Sequence, residues 1–142
     1  MENKLDISAL KKAAQAFDNA ITFAQKVEAK PESEREFFEY EIACAAVIQH
    51  FELSYELCWK TMKRYIEMDI GTQADILTRK DLFRISAERQ LIDDFDRWIE
   101  FHRARNKSTH IYDEEIANEV YEIAKVFADY LHKFIETIEK RI

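Results

Sequence analysis

The sequence predicts an all-α protein, an antiparallel four-helix bundle with room for one short extra helix. Three observations carry that prediction. The 142 residues include one glycine and one proline. Turns consume such residues, so a chain nearly without them has few turns and long elements. Apolar residues recur at helical spacing along most of the chain. Residues suited to capping helices stand where that spacing starts anew. At 47% hydrophobic and 13% aromatic, a chain of this length can bury one core, so residues 1–142 are expected to form a single domain.

The first helix is expected from about Asp6 or Ser8 to Glu28, because Leu10, Ala14, Phe17, Ile21 and Ala24 step by four and three. Pro31 in "AKPES" ends it, and Ser33 with Glu36 reads as a capping box for the next helix. That second helix runs from about Glu34 to Met68. Cys44, Ile48, Phe51, Tyr55, Cys58, Met62 and Tyr65 alternate steps of four and three, the repeat of a left-handed bundle seam. Phe38, Ile42, Val47, Leu53, Leu57, Trp59 and Ile66 lie off that seam. The helix is therefore expected to meet neighbours on more than one side, and a second copy of the chain could be one of them.

Gly71 stops the second helix, and "DIGTQADIL" reads as a loop. Thr78 can cap a short helix through about Gln90, with Asp81 in the box position. Leu91, Phe95, Trp98 and His102 share a face, so another helix ends near Arg105. Asp113 caps the last helix, with Glu114 and Glu115 in its first turn, where acids suit the dipole. Its stripe is Ile116, Val120, Ile123, Phe127, Leu131, Phe134 and Ile138, and Lys140 and Arg141 complement its C-terminal end.

Composition narrows the function. A net charge of −7 argues against a general nucleic-acid binder, although it leaves room for a local basic site. No apolar run approaches the roughly 18 residues of a membrane span, and "MENKLDISAL" lacks the pattern of a signal peptide. A cytoplasmic protein without a membrane partner is expected. Cys44 and Cys58 lie roughly 21 Å apart on one helix, too far for a disulfide, and read as buried small hydrophobes. There is no glycine-rich phosphate loop, no CxxC and no HExxH, and the histidines at 50, 102, 110 and 132 lack ligand spacing. No metal or cofactor is expected. Asp94 and Asp96 form a D-x-D pair, but no Gly-Ser turn precedes it, so it reads as surface charge.

What remains is "RARNKSTHIY", residues 103–112. From Phe101 to Tyr112 there is no acid, in a chain carrying 28 acids against 21 Lys and Arg. On a continuous helix Arg105 and His110, five residues apart, would diverge by about 140°. A break ahead of Asp113 can bring them together. If the residues before that cap are extended, His110 and Tyr112 face the same side. Arg105, Asn106, Lys107, His110 and Tyr112 are then candidate binding residues. Arg grips phosphate oxygens as a bidentate fork, and His titrates near neutrality, so it can take or give a proton. Such a set suits phosphodiester chemistry or simple binding of a nucleotide or phosphate. The plainer reading is structural: Arg near a helix C-terminus offsets the dipole, and Tyr before a helix can staple it. His50 and His132 read as structural, and the role of His102 is open.

At this point the sequence resembles a known family. "RNKSTH", Arg105 to His110, matches the R-x(4–6)-H signature of the HEPN superfamily, with a polar residue after the Arg. "RNKSTHIY" extends it to R-x4-H-x-Y, the form found in HEPN proteins paired with minimal nucleotidyltransferases. The full chain is similar to small helical proteins described as nucleotidyltransferase substrate-binding subunits. The resemblance implies a homodimer with the two motifs near its interface, and a minimal nucleotidyltransferase chain, encoded nearby, as partner. In several relatives the HEPN chain is a toxin that cuts RNA through the Arg and His, and the nucleotidyltransferase is its antitoxin, in some cases adenylylating the motif Tyr. Carried over, Arg105 and His110 would be the ribonuclease pair, Asn106 their helper and Tyr112 the modification site. A transferase needs a Gly-Ser turn followed by an Asp-x-Asp pair, and this chain has no such turn, so any nucleotidyl transfer falls to another chain.

Overall fold

The computed structural model describes residues 5–71 and 78–142. Among them there are helices and connecting turns and no strand. The helices are α1 (Ser8–Ala29), α2 (Glu39–Ile70), α3 (Arg79–Glu88), α4 (Phe95–Lys107) and α5 (Glu114–Glu139). Two short 3₁₀ turns, Glu32–Glu34 and Ser108–His110, join α1 to α2 and α4 to α5. Helix α1 packs along α2, α5 packs against α1, α2 and α4, and α3 bridges α2 and α4. The expected four principal helices are thus α1, α2, α4 and α5, and α3 is the short extra one. No helix among the described residues is long and apolar enough to cross a membrane.

The apolar stripes meet on Phe127 of α5. Its ring centroid lies 6.1 Å from Phe17, 5.3 Å from Phe51, 5.7 Å from Trp98 and 5.0 Å from Phe101. Rings from α1, α2 and α4 therefore close on a single side chain, mostly edge to face, as the ring quadrupole favours. The α2 seam is buried from Cys44 to Met62. Val47 and Ile66, off the seam, are also buried, whereas Phe38, Ile42 and Leu53 stand exposed. Both cysteines are free and buried, and burial pushes the Cys58 thiol well above its ordinary value.

Caps fall largely where the sequence places them. The Thr78 hydroxyl accepts from Asp81 N at 3.0 Å. The Asp113 carboxylate accepts from Glu115 N at 3.0 Å and Ile116 N at 3.3 Å. Asp94, half of the D-x-D pair, caps α4 by accepting from Arg97 N at 3.2 Å. Gly71 ends α2 with φ 70°, a left-handed cap that glycine adopts without strain. The loop expected after it, over 72–77, lies outside the described residues.

Two expectations are corrected. Helix α2 starts at Glu39, not near Glu34, and the Ser33–Glu36 box does not form. Arg35 folds back on α1 instead, donating to the carbonyls of Val27 and Glu28 at 3.1 Å each. That holds residue 35 extended (φ −80°, ψ 141°), so no helix can begin there. Glu39 supplies the missing acceptor three residues on, its carboxylate taking Glu36 N at 2.7 Å. At the other end, Arg141 does not serve α5. It donates to Arg89 O at 2.8 Å and Gln90 O at 3.0 Å, tying the C-terminus to the end of α3.

Candidate functional site

The pattern does break within "RNKSTHIY". Helix α4 stops at Lys107, Ser108–His110 form a 3₁₀ turn, and α5 starts at Glu114. The cause is local and tertiary together. Ser108 is buried, and its hydroxyl lies 2.6 Å from both Arg105 O and a Glu52 carboxylate oxygen. A side chain that competes for the helix's own carbonyl favours an end there, and an acid on α2 holds it in place. Asp113 N then donates to His110 O at 3.0 Å, closing the turn.

His110 and Tyr112 meet as expected. His110 Nδ1 lies 3.1 Å from the Tyr112 hydroxyl, and the rings are edge to face at 5.8 Å. The route differs from the expected extended strand. Ile111 is helical (φ −72°, ψ −4°), so a tight turn rather than a pleat puts the pair on one side. Both side chains are exposed, Tyr112 at 85%. One of the two imidazole nitrogens and a phenol hydroxyl in contact can pass a proton between them.

Arg105 goes elsewhere. Its Nη1 donates to Glu52 at 3.0 Å and to the Ser108 hydroxyl at 3.1 Å. Its Nε stands 3.6 Å from Glu56 and forms no hydrogen bond. The break therefore leaves its guanidinium held against α2, with no hydrogen bond to His110 among the described residues. Lys107 pairs with Glu119 at 2.7 Å, and Asn106 is exposed, its amide 3.5 Å from His102 Nε2. The local sign reversal in the sequence is thus largely offset by acids that the fold brings from α2 and α5. Arg103 is exposed and has no ion-pair partner among the described residues.

His102 has a clear place. Its Nδ1 lies 2.7 Å from the hydroxyl of buried Tyr55. Burial raises the Tyr55 phenol well above its ordinary value, so Tyr55 keeps its proton and donates. Burial, and then the neighbouring Arg79 charge, lower the His102 value, so the imidazole accepts as the neutral ring. Arg79 itself lies with its guanidinium carbon 3.3 Å from the Trp59 ring centroid. His132 pairs with Asp18 at 2.8 Å on the surface, linking α5 to α1, and His50 is half-buried on α2.

Glu52, Glu56, Tyr55 and Ser108 escape a reading of the motif alone. The first three lie in "FELSYELCWK" on α2, where Glu52 and Glu56 stand one turn apart on one face. That spacing is the available signal, but only the packing shows that the face meets Arg105.

Comparison with known proteins fits this geometry. Residues 5–140 match the family described as nucleotidyltransferase substrate binding protein like. The chain belongs to that family. A solved Haemophilus influenzae structure, described as revealing the fold of a substrate-binding domain of a nucleotidyltransferase, superposes with a TM-score of 0.84 at 26% identity. It covers 94% of this chain and 99% of that one. A Thermus thermophilus structure shares the fold with a TM-score of 0.63 at 19% identity, over 84% of this chain and 96% of that one. The curated probable ribonuclease HepT of Haemophilus influenzae is 39% identical over 79 residues. That match spans 54% of this chain and 54% of the relative.

Proposed function

We propose that this chain is the HEPN-type substrate-binding subunit of a two-component nucleotidyltransferase system. It works as a homodimer in the cytoplasm, and its partner is a minimal nucleotidyltransferase encoded nearby. Nucleotide or RNA phosphate is bound at the R-N-x3-H-x-Y turn by Arg105, Asn106, Lys107 and His110, beside Tyr112. The observation that carries this reading is the exposed His110–Tyr112 pair on the turn that Ser108 and Glu52 lock, in a chain of this family. The phenol is accessible to a partner's nucleotide, and an imidazole nitrogen lies 3.1 Å from its hydroxyl. Co-expression with the neighbouring gene product tests it. A joint size-exclusion peak supports the reading. Two separate peaks, with a neighbour that is no nucleotidyltransferase, contradict it.

The similarity to a probable ribonuclease favours a second reading. In it the chain is a metal-independent ribonuclease toxin, neutralised by the nucleotidyltransferase through adenylylation of Tyr112. Arg105 steadies the charged phosphorane and His110 activates the ribose hydroxyl. Both groups would have to face one phosphate, so Arg105 would have to turn from Glu52 when RNA binds. Induction of the lone protein in cells decides. Arrested growth that Arg105→Ala and His110→Ala each abolish supports the toxin, and unaffected growth and RNA refute it.

A further inference from the structure

The start of α2 and the turn before α5 together enclose a groove, part apolar and part acidic, that reaches the candidate site only at Tyr112. One end is a cleft of about 350 Å³ with Cys44, Ala45, Ile48, Ile111 and Tyr112 in its walls. The other opens beside Phe37 and Phe38. Tyr40, Glu41 and Glu114 line both, so the two are continuous. Phe37 is 85% exposed and Phe38 57%, their ring centroids 4.0 Å apart, and Ile42, one helical turn on, is 66% exposed. Large aromatics displayed together in this way are the residues that anchor protein interfaces. Phe38 is also held at φ 62°, a conformation unfavourable for a bulky side chain. Such outliers persist where the surrounding structure fixes them and concentrate at functional surfaces.

Charge decides what fits. Glu32, Glu36, Glu41 and Glu114 line the groove, and none has an ion-pair partner among the described residues. Among the described residues that line it the one cation is Arg35, which is turned inward onto the carbonyls of Val27 and Glu28 and over the Tyr40 ring. Nucleic acid, itself anionic, is repelled by such a rim.

We infer that this groove docks the nucleotidyltransferase chain, through a partner segment that carries both apolar and basic side chains. The inference rests on the proposed function and adds the surface and its chemistry. It also accounts for access, because a chain seated in the groove ends at Tyr112, which lines one end of it.

The experiment compares the wild-type chain with Phe37→Ser/Glu41→Lys, each titrated with the neighbouring nucleotidyltransferase by calorimetry at low and high salt. The expected result is wild-type binding that weakens with salt, and a dissociation constant at least tenfold higher for the variant at unchanged helix content. If the double variant loses helix content, Phe37→Ser alone takes its place. Equal binding by variant and wild type overturns the groove and leaves the proposed function standing. A variant that binds normally but changes its own oligomeric state assigns the groove to a second copy and overturns the inference too. Failure of the wild type to bind removes the proposed function and the inference with it.

Discussion

Arg105 on α4 and Glu52 on α2 are joined at 3.0 Å, and the Ser108 hydroxyl between them touches both. The pair is about seven-tenths buried on each side, and it decides where α4 ends and where the Arg of the motif points. A half-buried, charge-assisted contact of this kind is worth more than a surface ion pair.

Glu52→Gln should therefore loosen the turn. It leaves Arg105 without its main partner and weakens the Ser108 contact, at a cost of about 1–2 kcal/mol. Thermal unfolding should show a midpoint lower by a few degrees. Binding of a short RNA oligonucleotide should move the other way and tighten, since a competing carboxylate charge is gone. Weaker RNA binding by a folded Glu52→Gln would show that Glu52 orients Arg105 for phosphate rather than competing for it.

His110→Ala and Tyr112→Phe should leave stability within about 0.5 kcal/mol, because both side chains are exposed on the surface. Function should respond. His110→Ala removes phosphate binding or cleavage, and Tyr112→Phe removes the only phenol of the motif and any mass gain produced by the nucleotidyltransferase. Denaturant melts alongside intact-mass spectra separate the two effects.

His102 predicts a pH dependence. Its folded value lies below the ordinary 6.5, so the unfolded chain binds the proton more readily. That contribution to stability is present above 6.5 and is lost as pH falls through the folded value. His102→Gln should consequently cost more stability at pH 8 than at pH 5. Urea midpoints for wild type and variant at the two values measure it. A cost independent of pH would mean that burial does not hold the imidazole neutral.

Phe38→Asn should raise stability by about 1 kcal/mol, since Asn tolerates φ near 60° and the Phe38 side chain is more than half exposed. The melting temperature checks it. A fall instead would mean that the Phe37–Phe38 ring contact outweighs the backbone strain.

The helices were legible because their signals are local. Asp113, Thr78 and Gly71 act on their own neighbours, and the stripe through Phe127 has one period throughout. The start of α2 was misread because its determinant is not local: Arg35 reaches back to Val27 and Glu28, which a pattern of Ser33 and Glu36 cannot show. The candidate site divides in the same way. The His110–Tyr112 pair follows from the break between α4 and α5, residues 108–113, which local signals mark. The position of Arg105 follows from acids 53 and 49 residues earlier, which only the packing of α4 on α2 brings near. A stretch basic in sequence became nearly balanced in space for that reason.

The most direct test is native mass spectrometry of the chain purified alone and after co-expression with the neighbouring nucleotidyltransferase, with and without Tyr112→Phe. A joint complex together with an adenylyl-sized mass gain that Tyr112→Phe abolishes is the predicted result. Two chains that never associate, and a mass unchanged by co-expression, would contradict the account.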